Sequence, residues 1–273
     1  MGTSARCPTI RMIHAGGDSM PCQETQTLFG TTYRRARILT SILLASLLVG
    51  ISAMGASGRF DQPEDAIRHF LACATAEEYE CALRACAVDE IAERFDYEAM
   101  IAWLRAIVPS TQYLPSEYTL FAARNRHAVE YFILQQLSWM ALSVVLPPKY
   151  NGFLTMHILT DSTVDLDDVV TDMNPTRFRT LEIVDIRSSH LLNSEGNMQN
   201  LVRQAGIYGA DSSTSRSVLY KVDSEYFVGG FQLMQYDGGW LITSLSDPLI
   251  EQSAYGILIQ VSSPEEFEEM LRP

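Results

Sequence analysis

The chain has 273 residues, 47% of them hydrophobic, and a formal net charge of −13 at pH 7. Residues 1–58 hold five of its 20 basic and two of its 33 acidic side chains, so residues 59–273 carry 15 and 31, a net charge of −16. Because like charge repels phosphate groups, this balance excludes nucleic acid as an expected partner. The length of the acidic part fits one domain with a sizeable core.

An uncharged run, residues 38–58, predicts where the protein works. It follows Arg34, Arg35 and Arg37, and its 21 residues are enough to cross the hydrocarbon core of a bilayer as a helix. The positive-inside rule keeps the arginine end in the cytoplasm and sends the rest of the chain outside. The run is either a signal peptide that is removed or an anchor that stays in the membrane, and both interpretations remain open.

The sequence therefore predicts four regions. Residues 1–37 form a disordered cytoplasmic leader, and residues 38–58 form the signal peptide or transmembrane anchor. Residues 59–248 form an α+β domain, and residues 249–273 add a C-terminal strand and a short helix. The predicted location of the domain is extracytoplasmic, either membrane-anchored or secreted.

Helical spacing of apolar residues dominates the first half of this domain. A helix is predicted to begin near Pro63, followed by short helices near residues 78–85, 88–95 and 97–107. A longer helix is predicted for residues 127–146, ended by two prolines. Its uncharged part is expected to pack against a sheet and not to form a second membrane span.

After Lys149 the apolar residues alternate with a period of two, which predicts strands. The sequence Asp237-Gly238-Gly239 predicts a tight hairpin, and Gly229-Gly230 predicts a bulge or bend inside a strand. The strand candidates are residues 153–159, 178–187, 217–222, 226–236, 240–245 and 256–261.

Two short runs at the ends of this domain carry a family resemblance. The runs are Gln62-Pro63-Glu64-Asp65-Ala66-Ile67 and Asp237-Gly238-Gly239-Trp240-Leu241-Ile242. They resemble the first helix and the last strand of exported bacterial members of the NTF2-like, or cone-fold, superfamily. The resemblance implies N-terminal helices packed on a curved antiparallel sheet that encloses a pocket. It implies no particular reaction, because this fold carries many unrelated functions.

Three cysteines, Cys73, Cys81 and Cys86, lie close together in the part expected outside the cytoplasm. An oxidising compartment allows a disulfide between Cys73 and either Cys81 or Cys86, across a helix hairpin. No metal site is predicted, because the sequence lacks a C-x-x-C pair and His69 is not at a known ligand spacing.

The best candidate for catalysis is Asp185. It continues the strand face of Leu181 and Ile183, so it is expected to point into the pocket, where burial would raise the pKa of a carboxyl group. Five further residues are expected to line that pocket: Trp103, Tyr131, Gln136, Trp139 and Tyr226. No cofactor motif occurs in the sequence.

Two functions follow from these observations. The first is a non-catalytic extracytoplasmic module that binds a small molecule or a protein through the concave sheet, or forms a homodimer through it. The alternative is a small-molecule lyase or isomerase that uses Asp185. The membrane is a further expected partner if residues 38–58 are retained.

Overall fold

The structure is a computed structural model that describes residues 58–105, 113–147, 150, 166–188, 195–246 and 256–272. The expected leader, the apolar run up to residue 57 and the expected strand at residues 153–159 lie outside this described part.

The described chain is an α+β fold in which most helices precede the strands, as the change of period predicts. Its helices are α1 (Pro63–Thr75), α2 (Tyr79–Leu83), α3 (Val88–Arg94), α4 (Tyr97–Leu104), α5 (Thr119–Val145), α6 (Leu166–Asp172), α7 (Glu195–Ile207) and α8 (Pro264–Met270). Its strands are β1 (Glu182–Arg187), β2 (Ser212–Val222), β3 (Glu225–Tyr236), β4 (Gly239–Ser244) and β5 (Ile259–Val261). A 3₁₀ helix, Pro175–Thr180, replaces the start of the strand predicted at residues 178–187.

The strands form one antiparallel sheet in the order β1-β2-β3-β4, and β5 pairs with the first half of β3. The predicted hairpin between β3 and β4 is confirmed, since Tyr236 pairs with Gly239 around a two-residue loop. Asp237 and Gly238 have φ angles of +50° and +85°. Positive φ at both loop positions is the geometry that matches the twist of the two strands.

Of the two features predicted at Gly229-Gly230, a bulge or a bend, the bulge is wrong. Both glycines keep regular pairing with β2, opposite Val218 and Ser217, within a ladder that runs unbroken along β2 and holds them in register. The sheet is irregular elsewhere: the register shifts in β1 between Ile183 and Asp185, and between β3 and β4 at Gln232 and Leu233.

Helices α1 and α5 pack with the sheet in one large apolar cluster. Phe70 of α1 meets Phe231 of β3 edge to face, with 6.0 Å between the ring centroids. The side chains of β2 alternate, so Val218 and Tyr220 belong to this cluster, whereas Leu219 packs in a second cluster with Phe267 of α8. The sheet therefore has apolar cover on both faces.

Helix α5 begins at Thr119, eight residues before the predicted start, and ends at Val145 ahead of the two prolines. Within the described ranges it is the one helix long and apolar enough to cross a membrane, by length and composition. Its buried apolar residues share the large cluster with Ile242 and Leu245 of the β4 region, which agrees with the predicted packing against a sheet. They are Val129, Ile133, Leu137, Met140 and Val144, and the buried polar residues of the helix are Asn125, Gln136 and Ser143.

The residue Gly209, just after α7, packs closely against Arg94 at the end of α3. Gly209 has φ +65°, and a Cβ atom there would lie 2.6 Å from the Arg94 carbonyl oxygen. We expect Gly209→Ala to lower the free energy of unfolding by at least about 1 kcal/mol, because the left-handed conformation and the close approach both oppose a side chain.

The matched control is Gly206→Ala, in the last turn of the same helix, where a Cβ atom would meet nothing within 4 Å. This change is expected to raise stability, by up to about 1 kcal/mol, since alanine favours the helix. Urea unfolding of the two variants measures both effects. Equal effects of the two substitutions would contradict the assignment of this helix end.

Candidate functional site

Gln136 lies inside the fold, 1% exposed, and uses its amide to hold the end of β4. Its Oε1 accepts a hydrogen bond of 2.8 Å from the Leu245 backbone N–H, and its Nε2 donates one of 2.9 Å to the Ser244 hydroxyl. Two turns further along the same side of α5, the Ser143 hydroxyl accepts a bond of 3.0 Å from the Leu258 N–H. These polar groups satisfy backbone donors that burial would otherwise leave unpaired.

Sequence reasoning did not identify Ser143 as Gln136's counterpart. The available signal was the spacing of seven residues, which places the two side chains on one side of α5 two turns apart.

The expectation that five residues line one shared pocket is wrong for the described chain. Trp103 and Tyr131 are 51% and 67% exposed. Trp139 packs on Leu146 and Tyr150, and Tyr226 packs on the α8 side of the sheet.

Helical geometry separates two members of this set. At about 100° per residue, the side chains of Tyr131 and Gln136 point about 140° apart around α5, so both cannot face one cavity.

The expectation that Asp185 points into the core is also wrong. Val184 has no partner in the β1–β2 register, because Ile183 pairs with Tyr220 and Asp185 pairs with Leu219. This bulge inserts one residue and shifts the alternation, so Asp185 lies on the face of Leu219 and not on that of Tyr220.

At this position Asp185 lines a surface recess of 220 Å³ together with residues of β1, β2 and α8. Its carboxylate accepts a hydrogen bond of 2.6 Å from Nε of Arg187, and its side chain is 33% exposed. Two glutamates of α8, Glu265 and Glu268, line the same recess. This is a surface ion-pair site and not an apolar cavity.

The described interior holds no carboxylate, imidazole, amine or guanidinium group. Every buried polar side chain there is neutral. They are Asn125, Gln136, Ser143, Ser215, Ser217, Thr243, Ser244 and Ser246. The buried groups that can titrate include the hydroxyls of Tyr113 and Tyr236 and the Cys86 thiol, and burial raises the pKa of each, so these groups stay protonated.

The cysteines adopt one of the two pairings that the sequence leaves open. Cys73 and Cys81 form a disulfide, with 5.6 Å between their Cα atoms. Glu77, with φ +62°, lies in the turn that folds α2 back toward α1 and brings the two cysteines together. Cys86 is a free, buried thiol, and burial raises its pKa well above its usual range, so the sulfur stays protonated and unreactive.

No family model matches this chain, and no curated protein matches it. Among solved structures, the chain is similar to a cystatin-like protein from Ruminococcus gnavus ATCC 29149, with a TM-score of 0.45 and 18% sequence identity. The match covers 74% of this chain and 45% of the other, so the chain spans less than half of that protein's length. A similarity of this size assigns no activity to the chain.

The role of Gln136 predicts a large loss of stability on Gln136→Leu. The leucine keeps the volume but leaves the Leu245 N–H without its acceptor, which costs about 2 kcal/mol. The same substitution at the neighbouring Gln135, which is only half-buried, is the control and is expected to change stability by less than about 0.5 kcal/mol. Chemical denaturation of both variants gives the comparison, and equal stabilities would contradict the assigned role.

The disulfide predicts a distinct peptide map. Cys73 and Cys81 both lie between Arg68 and Arg84, so one tryptic peptide contains the whole bridge. We expect this peptide, from unreduced protein alkylated in denaturant, to be two hydrogens lighter than its reduced form and to carry no label. The peptide containing Cys86 is expected to take one label in denaturant and none in native protein. A labelled Cys73 without reduction would contradict the pairing.

Proposed function

We propose that residues 59–248 form an NTF2-like cone domain that works outside the cytoplasm as a non-catalytic binding and assembly module. The observation that carries this proposal is the closed interior. In a cone fold an enzyme needs a cavity behind the sheet, and in the described residues α1 and α5 fill that space with apolar side chains. Neutral buried groups and an outward Asp185 support the same conclusion.

The binding surface that we propose is the outer side of α5 and not the sheet. Tyr131 and Leu134 lie one turn apart on this side and are 67% and 37% exposed, and Leu120 near the start of the helix is 76% exposed. Large exposed apolar and aromatic side chains of this kind are enriched at protein interfaces.

We propose a second copy of the chain as the occupant of this surface. Residues 59–273 carry a net charge of −16, so most of their surface repels a second copy. Residues 131–146 contain no charged side chain, and Glu130 beside them is paired with His127 at 3.3 Å. Two α5 helices crossing at Tyr131 and Leu134 would therefore bury apolar area without bringing carboxylates together.

This proposal predicts that the protein is a dimer that Tyr131→Glu separates. The substitution places a carboxylate of each chain close to that of the other chain at the centre of the contact. We therefore expect the dissociation constant of the dimer to rise at least about 30-fold, which is about 2 kcal/mol. Sedimentation velocity over a dilution series measures this constant.

The control is Val202→Glu on α7, a residue that is also 68% exposed but lies away from α5. Its dimer is expected to remain as stable as the unaltered one. A monomer at every concentration, or equal effects of the two substitutions, would overturn the proposed surface.

A further inference from the structure

His69 stands at equal distance from both sulfur atoms of the disulfide. Its Nε2 lies 3.7 Å from Sγ of Cys73 and 3.7 Å from Sγ of Cys81. His69 and Cys73 are four residues apart, so they share one face of α1, and the turn into α2 adds Cys81. Linear spacing does not indicate this group, because the third member comes from a different helix.

The surroundings hold the imidazole in place and leave the group accessible. The ring of Phe60 packs on His69 with 5.2 Å between centroids. Cys73 is buried, at 7% exposure, whereas His69 and Cys81 are half-buried. A small ion can therefore reach the group from the side of Cys81 while the other ligands stay anchored in α1.

We propose that His69, Cys73 and Cys81 form a Zn²⁺ site when the disulfide is reduced. Zinc binds imidazole nitrogen at about 2.0–2.1 Å and thiolate sulfur at about 2.3 Å in a tetrahedral arrangement, which places nitrogen and sulfur ligands roughly 3.5 Å apart. The two nitrogen–sulfur distances already match this value, so the nitrogen needs little movement. Three protein ligands leave the fourth position to water.

Binding is coupled to the redox state of the cysteines. A phosphine reductant takes up the oxygen of one water molecule and gives two electrons, which break the sulfur–sulfur bond and leave two thiols. When zinc binds, both thiols lose their protons to solvent, and the two thiolates balance the charge of the ion. A disulfide oxidant such as oxidised glutathione accepts two electrons from the thiolates and becomes two glutathione thiolates, which re-forms the Cys73–Cys81 bond, removes both anionic ligands and releases the metal.

The test uses the full-length chain with Cys7→Ser and Cys22→Ser, which removes the two leader cysteines as competing ligands. The protein is reduced with a phosphine under nitrogen and titrated with Co²⁺, whose visible absorption reports tetrahedral thiolate coordination, and then with Zn²⁺. We expect one Co²⁺ per chain, displaced by Zn²⁺, in the reduced protein and no such band in the oxidised protein.

Substitutions then assign the ligands. His69→Gln, which keeps a side chain that suits the helix, is expected to weaken binding at least about tenfold, and Cys81→Ser to abolish the charge-transfer band. The controls are His127→Gln, an exposed histidine on α5, and Cys86→Ser, the buried thiol outside the group. Both are expected to bind as the parent does.

Three outcomes would overturn the proposal: no cobalt band in the reduced parent, equal affinity of the oxidised and reduced proteins, or equal affinity of His69→Gln and the parent. Circular dichroism of each variant shows whether a loss of binding reflects unfolding. These outcomes are independent of the dimer, because the proposed site lies on α1 and α2 and not on α5.

Discussion

The structure depends on the antiparallel pairing of β2 with β3. The ladder runs from Ser212 opposite Gln235 to Val222 opposite Glu225 without a break. The other strands attach to this pair, with β1 on the free edge of β2 and with β4 and β5 sharing the other edge of β3. Each face of the ladder then receives its own cover, α1 and α5 on one side and α8 on the other. Because the ladder fixes which side chains face each cover, it decides where every candidate residue of the sheet lies.

The elements marked by strong local signals could be predicted from the sequence. The dipeptide Asp237-Gly238 predicts a tight hairpin because both residues tolerate a positive φ, and Pro147-Pro148 predict the end of α5 because proline cannot continue a helix. The bulge at Val184 could not be predicted, because it arises from how β1 meets β2 and leaves no turn residue in the sequence. One inserted residue was enough to move Asp185 to the opposite face. In contrast, the glycine pair in β3 carried a bulge signal that the long ladder overrides.

The group of His69, Cys73 and Cys81 could be predicted only in part. Cysteine spacing indicated a helix hairpin with a bridge from Cys73, but the choice of Cys81 depends on a turn that places Glu77 in the left-handed region. The spacing of His69 along the chain fits no ligand motif, whereas its Nε2 lies 3.7 Å from both sulfur atoms. The fold brings these three residues together from two helices. A search for ligand motifs along the sequence does not detect such a group.

Helix α5 shows why a nearly uniform apolar helix is hard to interpret from sequence. Its buried side includes polar residues such as Gln136 and Ser143, and its outer side includes Tyr131 and Leu134, so the apolar residues are spread almost evenly around the axis. Such a pattern is expected for a helix with apolar surroundings on all sides. The sheet covers one side, and the amides and hydroxyls on that side are retained because they pair with backbone donors of the β4 and β5 segments. The described residues leave Tyr131 and Leu134 exposed on the outer side of α5, and in the dimer that we propose a second α5 helix covers them.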